Sequence, residues 1–227
     1  MNSRTAGAAR RADAVLFDLD GTLLDTAPDM VTALNQVRRE QGLAPLEFAL
    51  ARTQVSNGSS GLLKLAFPEL EGEPFEQLRE HFLTLYAQRI AVETALFPGF
   101  ERVLSTLEQR AIPWGIVTNK PAFLTTPLVA ALNLDRRAAC VVSGDTLPER
   151  KPHPAPLLHA AEQIRVAPQR CVYVGDAPRD VQAARAAGMP ALVALYGYLS
   201  PQDEPHAWEA DALINQPREL LDWLELT

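Results

Sequence analysis

Asp18 and Asp20 stand one leucine apart at the end of the apolar run Ala14-Val15-Leu16-Phe17. The run reads as a buried strand, and strand side chains alternate faces, so both carboxylates project to the same side. Two crowded anions repel each other and gain nothing from a core. Three later clusters have the same polar character: Thr118-Asn119-Lys120, Lys151-Pro152 and Gly175-Asp176-Ala177-Pro178-Arg179-Asp180. Each follows an apolar segment, the second after a short delay.

A phosphate monoester gives every one of these residue types a task. Such a substrate is a dianion, and an attacking carboxylate adds a third negative charge. At about 4 Å and an effective dielectric near 20, each unit pair costs roughly 4 kcal/mol. Attack therefore faces on the order of 8 kcal/mol, or about six decades in rate, unless cations offset it. A magnesium ion held by Asp18 and Asp176, together with the Lys151 ammonium, supplies that offset. Asp18 is then the nucleophile, and Asp20 protonates the leaving alcohol and later activates water. The Thr118 hydroxyl and the amides around Leu19, Asp20 and Asn119 are donors for the remaining phosphate oxygens. Asp180, one helical turn beyond Asp176, either supports the water shell of the metal or orients Lys151. Gly21 lets the chain turn sharply away from the strand end.

These clusters work together only if the fold gathers them. Apolar, strand-like segments occur at 14–17, 114–118, 140–142, 171–174 and 191–194, with a weaker one at 212–214. Helical periodicity fills 99–110, 122–133, 154–165 and 179–187 between them, the last stopped by Gly188. This alternation predicts an α/β fold with a parallel sheet covered by helices on both faces. Ligands on such sheets bind at the carboxyl ends of the strands, where all four clusters fall. From residue 26 to 95 the alternation fails, and helical patterns appear at 30–41, 61–66 and 75–90. We read 26–95 as an α-helical cap inserted into a core made of 13–25 and 96–227, with hinges at Thr26-Ala27-Pro28 and Phe97-Pro98-Gly99. Residues 1–12 read as a frayed tail.

Composition excludes several classes of function. A chain of 227 residues with 47% hydrophobic and 22% charged residues can bury a sizeable core. A net charge of −7 argues against nucleic acid as a partner, and no apolar run reaches membrane-spanning length. Cys140 and Cys171 sit inside strand-like segments, as small core residues rather than a disulfide, which fits the cytoplasm. The expected partner is a small-molecule phosphate ester, and the expected state is a monomer or homodimer.

The segments DLDGTLLDT, VTNKP, KPHPAP and VGDAPRD, in that order and spacing, resemble the four signature motifs of the haloacid dehalogenase superfamily. The resemblance spans residue 13 to the C-terminus. It implies a Rossmann-like core, a helical cap between the first and second motifs, and a magnesium-dependent aspartyl-phosphate mechanism. By matching positions it implies Asp18 as nucleophile, Asp20 as acid/base, Thr118 as phosphate contact and Lys151 as the neutralising cation. It also implies metal binding by Asp18, Asp176 and the backbone carbonyl of Asp20. Halide-removing members do not need an acid/base at the position of Asp20, so phosphoryl transfer is expected. The subgroup most resembled is that of the phosphoglycolate phosphatases. The segments WGIVTNKP and YGYLSPQDEPHAWEADALINQPREL are also similar to bacterial N-acetylmuramate 6-phosphate phosphatases. A phosphosugar mutase of the same superfamily and a catalytically silent binding module are the alternatives.

Within the cap, Val55-Ser56-Asn57-Gly58-Ser59-Ser60-Gly61 is a small, polar loop leading into a helical segment. Its hydroxyls, amide and helix-start N–H groups suit a carboxylate or sugar hydroxyls. Ser56, Asn57, Gly58 and the nearby Lys64 are therefore expected to read the non-phosphate part of the substrate. A solvated loop with a helix cap at Ser59 or Ser60 is the competing expectation. His81, His153, His159 and His206 read as surface or packing residues, and Arg179 is left outside the site.

Overall fold

The structure, a computed structural model, describes residues 12–226. The tail expected over 1–12 lies, up to residue 11, outside the described residues; Ala12 is buried.

Strand β1 (Ala14–Phe17) occupies the middle of a six-stranded parallel sheet. Chain order continues through a short β2 (Leu24–Asp25), helices α1 (Ala27–Glu40), α2 (Phe48–Arg52), α3 (Gly58–Ala66) and α4 (Gly72–Ala87), and β3 (Ala95–Leu96). Strand–helix alternation then resumes with α5 (Phe100–Gln109), β4 (Trp114–Val117), α6 (Ala122–Ala131), β5 (Cys140–Val142) and α7 (Ala155–Ile164). It ends with β6 (Cys171–Gly175), α8 (Pro178–Ala186), β7 (Ala191–Ala194), β8 (Ala212–Ile214) and α9 (Glu219–Trp223). The sheet order is β5-β4-β1-β6-β7-β8. Numbered within the sheet alone this is 3-2-1-4-5-6, the doubly wound dinucleotide-fold order, and its reversal point adjoins β1.

Alternation along β1 explains its total burial. Val15 and Phe17 join one apolar cluster with residues of α5, α6 and α9, whereas Ala14 and Leu16 join a second with residues of α7 and α8. A strand with both faces in apolar surroundings has to read as continuous hydrophobic sequence. Phe17 packs edge-on against Phe100, at 5.4 Å between ring centroids, and against Trp114 at 6.3 Å. Such contacts hold the strand rigid beneath the polar residues that follow it.

The predicted strands are all present, with ends within one residue of expectation. The pair β2 and β3 was not legible. These two-residue strands run antiparallel, Leu24 opposite Leu96 and Asp25 opposite Ala95, so the departing and returning chain are joined as a ribbon. Asp29 reinforces this neck from the first turn of α1. Its buried Oδ2 accepts hydrogen bonds from the amides of Glu93 and Thr94 and from the Thr94 hydroxyl. Helices α1 to α4 lie in sequence between the two ribbon strands, and their apolar residues are continuous with the cluster on one face of the sheet. Helix α3 starts at Gly58 with Asn57 as its N-cap residue, so Ser59 and Ser60 lie inside its first turn and cap nothing. Cys140 and Cys171 are free and buried. Among the described residues no helix is long and apolar enough to cross a membrane.

Candidate active site

Register assembles the site before any side chain is considered. Phe17 pairs with Ile116 on one side and with Val174 on the other. One residue further, Asp18 is level with Val117 and Gly175, directly beside the Thr118 and Asp176 that follow. The ladder extends into the site, because the Asp18 amide donates to Val174 O at 2.9 Å and the Thr118 amide to Val142 O at 2.9 Å.

Lys151 organises the floor. Its Nζ lies 2.9 Å from Asp18 Oδ1 and 2.8 Å from Asp180 Oδ1, and donates to the Tyr173 hydroxyl at 2.7 Å. Three N–H groups thus meet three acceptors. The Tyr173 hydroxyl in turn donates to Val117 O. Of the two expectations for Asp180, contact with Lys151 is the one seen: Oδ1 receives the ammonium and Oδ2 the Ala177 amide. The main chain of Lys151 is held as firmly, since Asn119 Oδ1 accepts from its amide and Asn119 Nδ2 donates to its carbonyl. Asn119 therefore places Lys151 through its side chain. The Leu19 amide, expected to face phosphate, donates here to Asp18 Oδ1 at 2.8 Å.

Burial and mutual repulsion push two carboxyls upward. Asp18 rises to about 6, chiefly through burial, with Lys151 opposing and Asp180 and Asp20 adding to the shift. Asp176 rises to about 7 through burial and the charges of Asp18 and Asp180. Carboxylate oxygens of Asp18, Asp176 and Asp180 lie within 4.8 Å of one another. Asp176 Oδ2 accepts from the Ser56 hydroxyl at 2.7 Å and the Tyr198 amide at 2.9 Å, whereas its buried Oδ1 has no partner among the described residues. An orphaned carboxylate oxygen beside a second carboxylate is a donor set for a hard divalent cation. The three carboxylates fit such an ion, and both oxygens of Asp180 are already engaged by Lys151 and the Ala177 amide.

A cavity of about 620 Å³ lies above this floor, with Asp18, Asp20, Thr118, Asn119 and Lys151 at its base. The turn before α3 contributes Ser56, Asn57 and Gly58, and α4 contributes Arg79, Leu83 and Tyr86. Lys64 is not brought to it. Exposed on α3, it borders a separate shallow depression with Gln54 and Leu65. A helix turns a new face every residue, and six positions beyond Gly58 the side chain points elsewhere.

Other cavity residues carried no role in the sequence. Arg179 belongs at the site: its guanidinium donates to Ser56 O and to Asn57 Oδ1 across the gap between α8 and the inserted helices. Lys120 is buried, with Nζ 2.9 Å from Asp20 Oδ1 and 2.8 Å from the Tyr86 hydroxyl. Arg150 lines the cavity wall. A charged residue at a strand end was the one signal for Lys120, whereas Tyr86 is an ordinary apolar-face residue of an amphipathic helix.

The sheet order, the carboxylates at its reversal point and the buried lysine between them define a phosphoryl-transfer site of the doubly wound class. The family model for haloacid dehalogenase-like hydrolases matches residues 12–188. A phosphoglycolate phosphatase of Xanthomonas campestris is 49% identical over 207 residues, covering 91% of this chain and 94% of that one. An N-acetylmuramic acid 6-phosphate phosphatase of Pseudomonas aeruginosa is 38% identical over 216 residues, covering 95% and 96%. A crystal structure of a predicted phosphoglycolate phosphatase from Haemophilus somnus superposes with a TM-score of 0.83 at 26% identity, covering 93% and 97%. The chain belongs to the haloacid dehalogenase-like hydrolases. Within them it is a phosphatase.

Proposed function

We propose that this chain is a magnesium-dependent phosphomonoesterase that works through an aspartyl-phosphate on Asp18, acting on a small metabolite that carries a carboxylate besides its phosphate. The observation that supports it most is the buried Lys151 ammonium bound to Asp18, beside an Asp176 oxygen with no partner among the described residues. Asp18 and Asp176, with the Asp20 carbonyl, would hold the ion, which when bound supplies charge neutralisation at the phosphate oxygens.

The protein groups perform the rest. Asp18 attacks phosphorus through one carboxylate oxygen as the P–O bond to the alcohol breaks. Asp20 gives its proton to the departing oxygen. Water then attacks the phosphorus of the acyl phosphate, Asp20 takes back a proton, and Asp18 leaves as a carboxylate with release of inorganic phosphate. The Thr118 hydroxyl and the amides near Asp20 and Asn119 hold phosphate oxygens, and Lys151 offsets the charge that builds on Asp18 and the phosphoryl group.

The substrates named by the two relatives, phosphoglycolate and N-acetylmuramic acid 6-phosphate, share a carboxylate. Arg150 lines the cavity with no ion-pair partner among the described residues, and it is the cation we assign to that carboxylate. Ser56, Asn57 and Gly58 border the space left for the rest of the molecule. A cavity of about 620 Å³ exceeds what the two-carbon acid requires and favours the sugar acid as the better substrate. Parallel measurement of kcat/KM for both compounds, with and without magnesium, tests the reading. Phosphate release that is independent of a divalent ion, or absent from both acids, overturns it.

A further inference from the structure

Lys120 makes two contacts that the reaction scheme leaves unused. Its Nζ reaches Asp20 Oδ1 from the loop after β4, and the same atom donates to the Tyr86 hydroxyl and lies 4.6 Å from the centre of that ring. Tyr86 is fully buried on the inner face of α4 and stacks on Phe82. The lysine main chain is fixed too: its amide donates to Thr118 Oγ1, and its carbonyl accepts from the Gly144 amide and the Thr125 hydroxyl. Asp20 Oδ1 also accepts the Thr26 hydroxyl at 2.6 Å. Both donors converge on one oxygen of Asp20, and among the described residues none reaches the other.

We propose that Lys120, anchored by the Tyr86 hydroxyl of the inserted helix α4, is a positioning residue that orients Asp20 for proton transfer to the leaving group. With Oδ1 occupied as an acceptor twice over, Oδ2 is the oxygen left free to hand a proton to the leaving group. Rotation of the carboxyl would break both contacts. Because Lys120 follows β4 and its Tyr86 anchor lies on α4, the orientation of Asp20 depends on α4 sitting as it does here. This rests on the reading of Asp20 as acid/base. The simpler role, in which Lys120 only neutralises substrate charge, predicts a different pattern of losses.

The experiment compares two leaving groups in kcat/KM, which covers the steps through transfer to Asp18. An alkyl phosphate needs a proton as its alcohol departs; p-nitrophenyl phosphate releases a stable phenolate and does not. For Lys120→Met, kcat/KM for the alkyl ester is expected to fall about 100-fold, in the range of general acid catalysis, and for the nitrophenyl ester by less than about 5-fold. Tyr86→Phe, which keeps the ring, is expected to show the same selectivity at about 10-fold on the alkyl ester. KM for either ester stays within about 3-fold, because the interaction is made in the transition state. Should Lys120→Met fail to fold, the Tyr86→Phe pattern decides alone. Equal losses on both esters, a rise in KM alone, or no loss overturns the proposal. Asp20→Asn separates the two levels: leaving-group selectivity in Asp20→Asn without it in the Lys120 and Tyr86 variants removes only the positioning role. Absence of selectivity in Asp20→Asn removes the acid/base reading with it.

Discussion

Asp176 is held in two ways that pull against each other. Its Oδ2 is fixed by Ser56 and Tyr198, while burial and the neighbouring carboxyls push its pKa to about 7. A carboxyl raised in the folded state binds more protons folded than unfolded between its ordinary value and the raised one. Stability of the metal-free protein therefore falls as pH rises from about 4 to 7 through Asp176, and from about 4 to 6 through Asp18. The metal-free protein is expected to melt several degrees higher at pH 5.5 than at pH 8 in ~10 mM buffers, and a divalent ion to narrow that gap by raising Tm chiefly at pH 8. Asp176→Asn relieves the repulsion, so its Tm at pH 8 without metal should match or exceed that of the parent, while the ion-induced rise disappears. Differential scanning fluorimetry across pH, with and without magnesium, reads both outcomes. Arg150→Met should raise KM about 10-fold for either carboxylate-bearing substrate, on the order of 1.4 kcal/mol, and leave p-nitrophenyl phosphate unchanged within about 2-fold.

The turn that follows β1 decides whether these residues meet. Gly21 has φ +84°, and a Cβ there would fall 2.1 Å from Asp176 Oδ2 and 2.8 Å from the Tyr198 ring. Gly21→Ala is expected to cost roughly 2–4 kcal/mol, combining left-handed strain with a steric clash, and to lower Tm by about 5–10 °C. Because the clash is with a carboxylate proposed to hold the ion, divalent-ion affinity measured by calorimetry should fall as well. This turn was legible: a glycine directly after an aspartate pair at a strand end marks the place where the chain leaves the sheet sharply. The six strands were legible for a related reason, since strands buried on both faces have to be apolar throughout. The four polar clusters could be placed at one sheet edge because parallel topology leaves few alternatives. What escaped the sequence has equally physical causes. Strands of two residues, such as β2 and β3, carry no period. Tyr86, Tyr173 and Tyr198 look like packing residues until their hydroxyls are seen against Lys120, Lys151 and Asp25. Lys64 was misplaced because proximity in sequence to Gly58 says little about direction once the segment is a helix.

Across the whole molecule, the helices between β2 and β3 meet the residues around the sheet through contacts that converge on the site from several sides. Tyr86 reaches Lys120 at one edge, and Ser56 reaches Asp176 at another, with Arg179 bonded to the Ser56 carbonyl beside it. Further out, Arg52 of α2 donates to Gly197 O at 3.0 Å and Tyr196 O at 3.3 Å, and its guanidinium stacks 4.7 Å from the centre of the Tyr198 ring. Tyr198 itself donates to Asp25 in the ribbon and accepts from the Ala27 amide at the start of α1. Arg52 therefore braces the same tyrosine that fixes both Asp176, through its amide, and the neck of the insertion, through its hydroxyl. Its own side chain touches no reacting group. Arg52→Ala is expected to raise amide exchange across 48–66 by about 10-fold, the cost of losing roughly 1.4 kcal/mol of cation–π and hydrogen-bonding energy, while exchange in β1, β4 and β6 stays unchanged. Activity on the larger sugar acid should fall more than activity on phosphoglycolate, because more of that substrate depends on the turn at Ser56 to Gly58 staying in place. Exchange that rises equally in the central strands would mean that Arg52 supports the entire fold rather than the seating of the inserted helices.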